Sequence, residues 1–240
     1  MRRIFVYLKM SVKTIVRYPS WKTVSNVFRY ARPWYSLSTG KISSIEKKIP
    51  WLCFSAIDHI SKVIRPDMKI FEYGSGGSTL FWASRVRQVV SVEHDEQWQS
   101  QMEQEFAKQN AVNVTYVLAS AEKDEFYQDK SPGDPRAYIS GDPDYIGKKF
   151  ETYVKHIDKY PNRYFDFVIV DGRARPSCVL HALPKVALNG FVVVDNTERE
   201  YYQEALDLMN NRKWKMWKFT GPVPYSPSFS ETTIFQKIDL

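Results

Sequence analysis

A glycine-rich turn between a strand and a helix most constrains what this chain can fold into. Residues 69–73 (Lys-Ile-Phe-Glu-Tyr) read as an apolar strand with an acid near its end, and residues 74–78 (Gly-Ser-Gly-Gly-Ser) follow directly. Glycines in such a turn let the backbone bend sharply and approach a ligand without an intervening side chain. A helix after the turn presents free N–H groups to that ligand. The sequence therefore predicts a nucleotide-type ligand site on an α/β fold.

The spacing of the glycines narrows the choice of nucleotide. A dinucleotide fingerprint has a third glycine three residues after the second, but Thr79 stands at that position. Instead, Glu72 lies two residues before Gly74, and the segment reads Glu-x-Gly-x-Gly-Gly-Ser. This segment resembles the first motif of class I S-adenosylmethionine-dependent methyltransferases. The resemblance implies S-adenosylmethionine as cofactor and a Rossmann-like seven-stranded sheet with helices on both faces. It also implies cofactor contacts from Glu72, Tyr73, Gly74, Gly76, Gly77 and Ser78.

A second acid ends the next predicted strand. Residues 88–93 (Gln-Val-Val-Ser-Val-Glu) finish at Glu93, 19 residues beyond Gly74. A carboxylate about twenty residues after the turn can accept hydrogen bonds from both ribose hydroxyls. The resemblance therefore assigns Glu93 to the ribose and places His94 beside the adenine, with Ser120 and Ala121 as further cofactor contacts after the third strand. For His94, a packed or solvated histidine is the alternative.

Oxygen-bearing side chains also follow the fourth and fifth predicted strands. Asp171 ends one apolar strand, and Asp195-Asn196 ends the next, 24 residues later. The carboxyl ends of parallel strands lie at one edge of a sheet, and carboxylate and amide oxygens are typical Mg²⁺ ligands. The pattern is similar to that of the metal-dependent catechol-type O-methyltransferases, and Val-Asp-Gly at the fourth strand also resembles the macrolide sugar O-methyltransferases. The resemblance implies Mg²⁺ held by Asp171, Asp195 and Asn196. The alternative is that the two acids contact the cofactor, Asp171 among its ligands, or cap helices without a metal.

The general base of the catechol-type enzymes is missing from its expected place. A lysine follows the fourth-strand acid in that family, whereas Ala174 occupies the corresponding position here, between Arg173 and Arg175. Arginine stays protonated and is a poor base, but its fork suits a carboxylate or phosphate. Four residues are therefore predicted for catalysis or acceptor binding: Asp171, Arg173, Arg175 and His181. The alternatives are that the arginines pair with acids such as Glu198 or Glu200, and that His181 is an ordinary helix histidine.

The order of elements predicts an α/β domain behind a helical extension. We assign residues 1–64 to a basic N-terminal helical extension and residues 65–240 to an S-adenosylmethionine-binding domain. An irregular stretch is expected at 120–147, and Asn189-Gly190 reads as a helix stop. Helices are expected within 1–31 and at 43–64, 78–86, 95–109, 148–159, 177–188 and 199–211. Strands are expected at 69–73, 88–93, 113–118, 165–171, 191–195, 213–219 and 231–237.

The positive charge of the chain is concentrated at its beginning. Residues 1–45 hold nine Lys or Arg and no acid, so the other 25 basic and 27 acidic residues leave the remainder near neutral. Within this segment, apolar residues at positions 8, 12, 15 and 16 share a helical face, and basic residues at 9, 13 and 17 border it. Such a segment is typical of contact with an anionic membrane or another polyanion. The alternative is a pair of packing helices with solvated charges.

Composition supports a cytoplasmic protein. The chain has two cysteines and no apolar run near the ~20 residues of a membrane span. We expect an S-adenosylmethionine-dependent methyltransferase that acts on an oxygen of a small-molecule or saccharide acceptor, with peripheral contact at the inner membrane surface through residues 1–45. The base-methylating motif after the fourth strand is absent, since Asp-Gly-Arg-Ala stands there. A methyltransferase of RNA or another polyanion and a non-catalytic cofactor-binding module are the alternatives.

Overall fold

The chain begins with a block of helices and then alternates strands and helices. The computed structural model describes residues 2–38, 43–210 and 214–238. The helices are α1 Arg2–Arg17, α2 Trp21–Arg29, α3 Ala31–Leu37, α4 Ser44–Lys47, α5 Phe54–Val63, α6 Gly77–Ala83, α7 Glu96–Lys108, α8 Glu151–Lys155, α9 Arg175–Ala182 and α10 Gln203–Asn210. The strands are β1 Lys69–Tyr73, β2 Gln88–Glu93, β3 Val114–Leu118, β4 Glu122–Lys123, β5 Lys148–Lys149, β6 Phe165–Val170, β7 Val186–Asp195, β8 Trp214–Pro222 and β9 Phe229–Lys237.

Within the described residues, seven strands form one mixed sheet in the order β3-β2-β1-β6-β7-β9-β8. The first five of these are mutually parallel, whereas β9 runs antiparallel to both of its neighbours. The chain runs outward from β1 to β3 and then returns to β6 on the other side of β1. Strand order therefore reverses between β1 and β6, which is where ligands bind in sheets of this kind. The predicted Rossmann-like seven-stranded sheet is confirmed.

Strand register brings the predicted acids to one edge of the sheet. Tyr73 pairs with both Val92 and Val170, and Val170 pairs with Val194. The residue that follows each of these positions therefore stands at the same level. Those residues are Gly74, Glu93, Asp171 and Asp195.

Helices cover both faces of the sheet because β1 and β6 are apolar on both sides. Phe71 and Val168 point into the core beneath α8, α9 and α10, whereas Ile70 and Ile169 point into the core beneath α5 and α6. A strand buried on both faces reads as a largely apolar run, which here is interrupted by Glu72 in β1 and Asp166 in β6. The sheet is thus rigidly held on both sides of the strand-order switch.

The first three helices form a separate apolar layer. Tyr7, Val27, Tyr30 and Trp34 pack with Phe54 of α5, and α2 lies against the edge strand β8. Helix α5 also contributes Ala56 and Ile60 to the core of the sheet. The division of the chain at residue 64 stays a prediction.

Several element boundaries differ from those predicted. The segment at 177–188 is not one helix, because α9 ends at Ala182 and β7 begins at Val186, so Asn189-Gly190 lies within a strand. Pairing of Val186 with Phe165 across a register shift holds this extension in the sheet, and a short apolar run suits helix and strand equally well.

The other differences are interruptions of predicted helices. The segment at 43–64 is broken into α4 and α5, since Lys48 adopts a left-handed conformation with φ 50°. The segment at 148–159 divides into β5, α8 and a 3₁₀ turn at His156–Lys159, and a 3₁₀ turn at Glu200–Tyr202 precedes α10. The stretch at 120–147 contains β4 and two further 3₁₀ turns at Tyr127–Asp129 and Pro143–Tyr145. Residues 211 and 213, in the predicted last helix and its following strand, lie outside the described residues.

Candidate functional site

A cleft of ≈ 830 Å³ opens at the carboxyl edge of the sheet, over the strand-order switch. Its walls are the turn at 74–78, the ends of β2, β6 and β7, the loop at 223–228 between β8 and β9, and the first two residues of β9. Protein sites for small ligands typically enclose about 300–1,000 Å³. The cleft therefore has room for a nucleoside-sized cofactor beside a second small molecule.

The turn at the base of the cleft requires glycine at Gly74. This residue has φ +90°, and a Cβ added to it would lie 2.8 Å from the Cα of Gly172. The two glycines follow β1 and β6, so the backbones after the two strands touch at the switch point. This close approach explains why a side chain is excluded at both positions.

Glu72 lies beneath the turn and does not reach the cleft, contrary to the predicted cofactor contact. The fully buried carboxylate accepts hydrogen bonds from Thr79 Oγ1 at 2.6 Å, Trp82 Nε1 at 2.8 Å and Ser91 Oγ at 2.9 Å. Burial raises the pKa of Glu72, and the side-chain hydrogen bonds oppose that rise. Because Thr79 Oγ1 in turn accepts from the N–H of Gly76 at 3.0 Å, Glu72 holds the turn in shape through Thr79.

Tyr73 is also placed away from the cleft. Its side chain is fully buried, and its hydroxyl donates to the carbonyl of Val154 at 2.7 Å. Ser120 and Ala121 lie after β3, outside the residues that line the cleft. Four predicted turn residues do line it, namely Gly74, Gly76, Gly77 and Ser78.

Glu93 is at the cleft and is held in its ionised form. Its carboxylate accepts from the N–H and Oγ of Ser75 at 3.0 and 2.8 Å, and from the N–H groups of His94 and Asp95 at 2.7 and 3.0 Å. Burial alone raises the pKa of Glu93, but the interactions with His94 and the backbone of Asp95 and Ser75 outweigh burial and lower the pKa to about 2. An ionised carboxylate at this place is a strong acceptor for hydroxyl groups. Its contact with a ribose stays a prediction.

Aromatic side chains surround His94 at the mouth of the cleft. Its Nδ1 lies 2.6 Å from Glu93 Oε1, and its Nε2 lies 2.8 Å from the hydroxyl of Tyr145. On the other side of the turn, Trp98 Nε1 donates to the carbonyl of Ser75 at 3.0 Å. Tyr145, Trp98 and Ser75 all line the cleft, and none was predicted. The Asp95 N-cap three residues before Trp98 was the available signal, since it places the first turn of α7 against the glycines.

Arg175 is buried among the acids at the strand tips. Its guanidinium donates to the carbonyls of Gly172 and Asp195 at 3.0 and 2.6 Å and to Asn196 Oδ1 at 3.1 Å. It also lies 3.1 Å from Asp171 Oδ1 and 3.9 Å from Asp195 Oδ2, with only 7% of its side chain exposed. The predicted role in gripping an acceptor does not fit this placement, because the donors of Arg175 already face oxygens of the protein.

The same contacts argue against the predicted Mg²⁺ site. Arg175 stands among Asp171, Asp195 and Asn196, and Asn196 Oδ1 also accepts from Arg199 at 3.1 Å. Asp195 Oδ1 accepts from Thr232 Oγ1 at 2.6 Å. Among the described residues, no group of three His, Cys, Asp or Glu is placed to hold a metal. A divalent cation here would meet two guanidiniums, so the three residues do not fit a metal: the side chains of Asp171 and Asn196 face arginine, and that of Asp195 accepts from Thr232.

The pKa values of Asp171 and Asp195 are raised because both acids are buried and share Arg175 as a counter-charge. Burial raises the pKa of both Asp171 and Asp195, and the interaction between the two acids raises the pKa of Asp195 further, while Arg175 lowers both. Asp171, with 22% of its side chain exposed, lines the cleft. A carboxylate with a raised pKa is a better proton acceptor near neutral pH than an ordinary one.

Arg173 is more exposed than Arg175 and lies at the border of the cleft. Its guanidinium pairs with Asp142 at 3.1 Å with 32% of the side chain exposed, and it lies 5.3 Å from the ring centre of Tyr145. Its buried Nε has no hydrogen-bond partner in the part of the chain that the structure describes. Arg173 borders both the cleft and an adjoining pocket of ≈ 280 Å³. The arginines therefore pair with Asp142, Asp171 and Asp195, not with Glu198 or Glu200 as the alternative had it.

His181 does not belong to the site. Its Nδ1 lies 2.7 Å from Asp158 Oδ2, and its Nε2 lies 3.2 Å from the hydroxyl of Tyr138. It is on α9, outside the residues that line the cleft. The predicted proton-accepting role of His181 is not supported by this position.

Comparison with solved structures supports the fold, whereas comparison of sequences finds no relative. No family model matches the sequence, and no curated protein matches it. The O-methyltransferase TomG from Streptomyces achromogenes, involved in tomaymycin synthesis and solved in complex with SAM, has a TM-score of 0.58 at 15% identity, over 88% of this chain and 98% of TomG. A candidate O-methyltransferase from Klebsiella pneumoniae has a TM-score of 0.59 at 12% identity, over 88% and 98% of the two chains. An rRNA methylase from Streptococcus thermophilus has a TM-score of 0.53 at 13% identity, over 80% and 98%.

The likeness defines the fold. These neighbours are methyltransferases, and the sheet order and glycine turn described above follow the same architecture, so the chain has the class I methyltransferase fold. Their acceptors differ, however, since one is an O-methyltransferase involved in tomaymycin synthesis and another is an rRNA methylase. A shared fold at such low sequence identity does not identify the acceptor substrate.

Proposed function

We propose that the protein is an S-adenosylmethionine-dependent methyltransferase. The observation that carries this proposal is the meeting of the glycine turn after β1 and the ionised Glu93 after β2 in one cleft at the strand-order switch. In a methyltransferase fold this is the place where a cofactor binds. Catalysis by such a site asks mainly for alignment of the two reactants and exclusion of water.

Binding of the cofactor follows from the walls of the cleft. Glu93 would accept hydrogen bonds from the ribose hydroxyls, and these would replace part of the hydrogen bonding that it now receives from Ser75. His94, held next to Tyr145, would contact the adenine. The bare backbone of Gly74 and Gly76 admits the amino-acid part of the cofactor, which side chains would exclude.

The acceptor proposed is a small or saccharide-type molecule that is methylated on oxygen and carries an anionic group. Arg173 borders both the cleft and the adjoining pocket, and its buried Nε lacks a partner among the residues that the structure describes. A guanidinium there suits a carboxylate or phosphate. S-adenosylmethionine supplies a methyl group already activated by its sulfonium. With both reactants bound, Asp171, whose pKa is raised by burial, would take the proton of the acceptor hydroxyl, while the methyl group would pass from the sulfonium to the acceptor oxygen.

Calorimetry with S-adenosylmethionine and the purified protein tests the cofactor assignment. Glu93→Ala should weaken binding by about 10- to 100-fold, the loss expected for a charge-assisted bond of about 1.5–3 kcal/mol. Glu96→Ala is the matched control, since Glu96 is an exposed acid in the first turn of α7, and should bind as the wild type does. Equal affinity of the Glu93→Ala variant would remove Glu93 from the cofactor site.

A second candidate, methylation of RNA, is favoured by the basic segment at 1–45 and by an rRNA methylase among the structural neighbours. Transfer of labelled methyl from the cofactor into pooled RNA, phenols or sugars separates the candidates. Label in RNA alone would replace the O-methylation proposal. Cofactor binding without label in any pool would indicate a non-catalytic module.

A further inference from the structure

Helix α1 packs against the protein through its less apolar side. Tyr7, Ser11 and Thr14 are buried, at 8%, 4% and 6% exposure. The hydroxyl of Tyr7 donates to the carbonyl of Val27 at 2.5 Å, and Ser11 Oγ donates to the carbonyl of Tyr7 at 2.7 Å. These positions repeat with helical spacing, so they form one face of α1. The face turned to the protein therefore consists mainly of hydroxyl-bearing side chains, with the partly buried Ile15 packed beside them.

The aliphatic side of α1 is turned to the outside. Ile4, Leu8, Val12 and Val16 recur every fourth residue, and they are 53%, 57%, 62% and 75% exposed, with Phe5 beside them at 70%. A surface helix of a water-soluble domain ordinarily buries such a stripe and exposes its polar side. Helix α1 has the reverse arrangement, so its apolar stripe is free to contact something outside the described chain.

The apolar surface continues from α1 onto the next two helices. A groove of ≈ 620 Å³ separates α1 from α2 and α3, and its lining is almost wholly apolar. Phe28 and Tyr35, at 75% and 51% exposure, stand along its far side. We call this combined area, the outer stripe of α1 with the groove and its far side, the α1 surface. Contiguous apolar areas of this kind mark interaction sites.

Basic residues border the α1 surface on its other side. Lys9, Lys13 and Arg17 are exposed and lie next to the aliphatic stripe around the helix. The whole segment at 1–45 carries nine positive charges and no acid. A second copy of the chain seated here would oppose like charges, which costs free energy. An anionic partner with an apolar interior satisfies both the stripe and the charges.

We propose that the α1 surface binds the face of an anionic lipid membrane. A helix with an apolar side and a flanking basic side lies in the plane of the interface, with the apolar side among the acyl chains and the cations at the headgroups. Such contact is with one face of the bilayer. No helix among the described residues is long and apolar enough to cross a membrane. The proposal is independent of methyl transfer, since it rests on the α1 surface and not on the cleft.

Contacts of α1 and α3 connect the α1 surface with the cleft. Tyr7, on the inner side of α1, packs edge-on against Phe229 with ring centres 5.2 Å apart. Trp34 of α3 donates to the carbonyl of Ser226 at 2.9 Å. Phe229 and Ser226 both line the cleft. Docking through the α1 surface would therefore hold one wall of the cleft close to the headgroups.

Flotation of the full-length protein with vesicles tests the proposal. Binding is expected with vesicles of equal parts phosphatidylglycerol and phosphatidylcholine, and not with phosphatidylcholine alone. The double variant Leu8→Gln/Val12→Gln should weaken partitioning by roughly 100-fold, since two apolar side chains stay in water. The matched control is Val112→Gln/Ile146→Gln, which removes two exposed apolar side chains, at 85% and 61% exposure, outside the α1 surface. It should bind as the wild type does.

The charge requirement has its own pair of variants. Lys9→Gln/Lys13→Gln should weaken binding roughly 30-fold, at about 1 kcal/mol for each lysine near an anionic surface. Lys62→Gln/Lys123→Gln removes two exposed lysines elsewhere and should leave binding unchanged. Equal flotation with neutral vesicles, or equal losses in test and control variants, would overturn the proposal. A dimer in light scattering that Leu8→Gln/Val12→Gln dissociates, without vesicle binding, would assign the α1 surface to a second copy.

Discussion

Replacement of Arg175 by Met is the sharpest test of the electrostatics at the strand tips. Methionine fills a similar volume but removes the only guanidinium that lies within 4 Å of both Asp171 and Asp195 in the described chain. It also removes the donors to the carbonyls of Gly172 and Asp195 and to Asn196 Oδ1. Breaking a buried ion pair by deletion of one partner typically costs about 3–5 kcal/mol. We expect a loss of this size in the free energy of unfolding at about pH 8.

The loss should depend on pH, and its direction follows from the acids. Burial raises the pKa of Asp171 and of Asp195 in the folded state, and Arg175 opposes that rise. A carboxyl whose folded pKa is raised contributes stability at low pH that is lost as the pH rises through the folded pKa. Without Arg175 both pKa values rise further. The variant should therefore lose the most free energy of unfolding, relative to the wild type, above neutral pH. Protonation of the acids at about pH 5 should recover about 2 kcal/mol of the deficit.

Urea denaturation of the wild type and the variant at each pH measures this difference. The midpoint should shift with little change in the slope if both proteins unfold in one step. Arg173→Met is the control, because Arg173 and Asp142 are about one-third exposed and such pairs contribute about 0–1 kcal/mol. Adding Asp195→Asn to Arg175→Met should restore part of the loss. A deficit below about 1 kcal/mol, or one that is equal at both pH values, would refute the account of Arg175 as the counter-charge of these acids.

Three further predictions concern the turn, the metal and the acceptor. Glu72→Ala leaves three buried donors without an acceptor and should lower the free energy of unfolding by at least about 3 kcal/mol; a smaller loss in urea denaturation would show that water replaces the carboxylate. Because Arg175 stands among the proposed metal ligands, chelation with EDTA should leave cofactor affinity in calorimetry and methyl transfer unchanged, and a loss that Mg²⁺ restores would reinstate the metal site. Arg173→Gln should raise the KM for an anionic acceptor without changing cofactor affinity, whereas a weakened cofactor would place Arg173 in the cofactor site.

Local patterns in the sequence were sufficient for the fold and for the location of the site. The strands at 69–73 and 88–93 were predicted with the bounds that β1 and β2 have. Their ends could be predicted because a strand boundary marked by an acid or a glycine depends on residues that are adjacent in the sequence. The same local order places Glu93, Asp171 and Asp195 at one edge, since parallel strands align their carboxyl ends. The cleft could therefore be located before any contact was known.

What each of these side chains touches was decided only by the tertiary structure. Glu72 was assigned to the cofactor, but Thr79, Trp82 and Ser91 meet its carboxylate from two other elements. Arg175 was assigned to the acceptor, but it folds back between strand tips whose acids lie four and twenty residues away. An ionisable side chain pairs with whichever opposite charge the fold brings close, and the spacing of residues along the chain does not contain that information.

Helix α1 shows the same limit on a larger scale. Its amphipathic pattern was visible in the sequence, and the rule that apolar faces turn inward would have buried Leu8 and Val12. The structure buries Tyr7 and Ser11 instead and leaves the aliphatic stripe outside. A period of 3.6 residues determines which residues share a face, because it is set by the backbone of the helix. Which face meets the protein depends on the surface that the rest of the chain presents to the helix, and only the tertiary structure contains that surface.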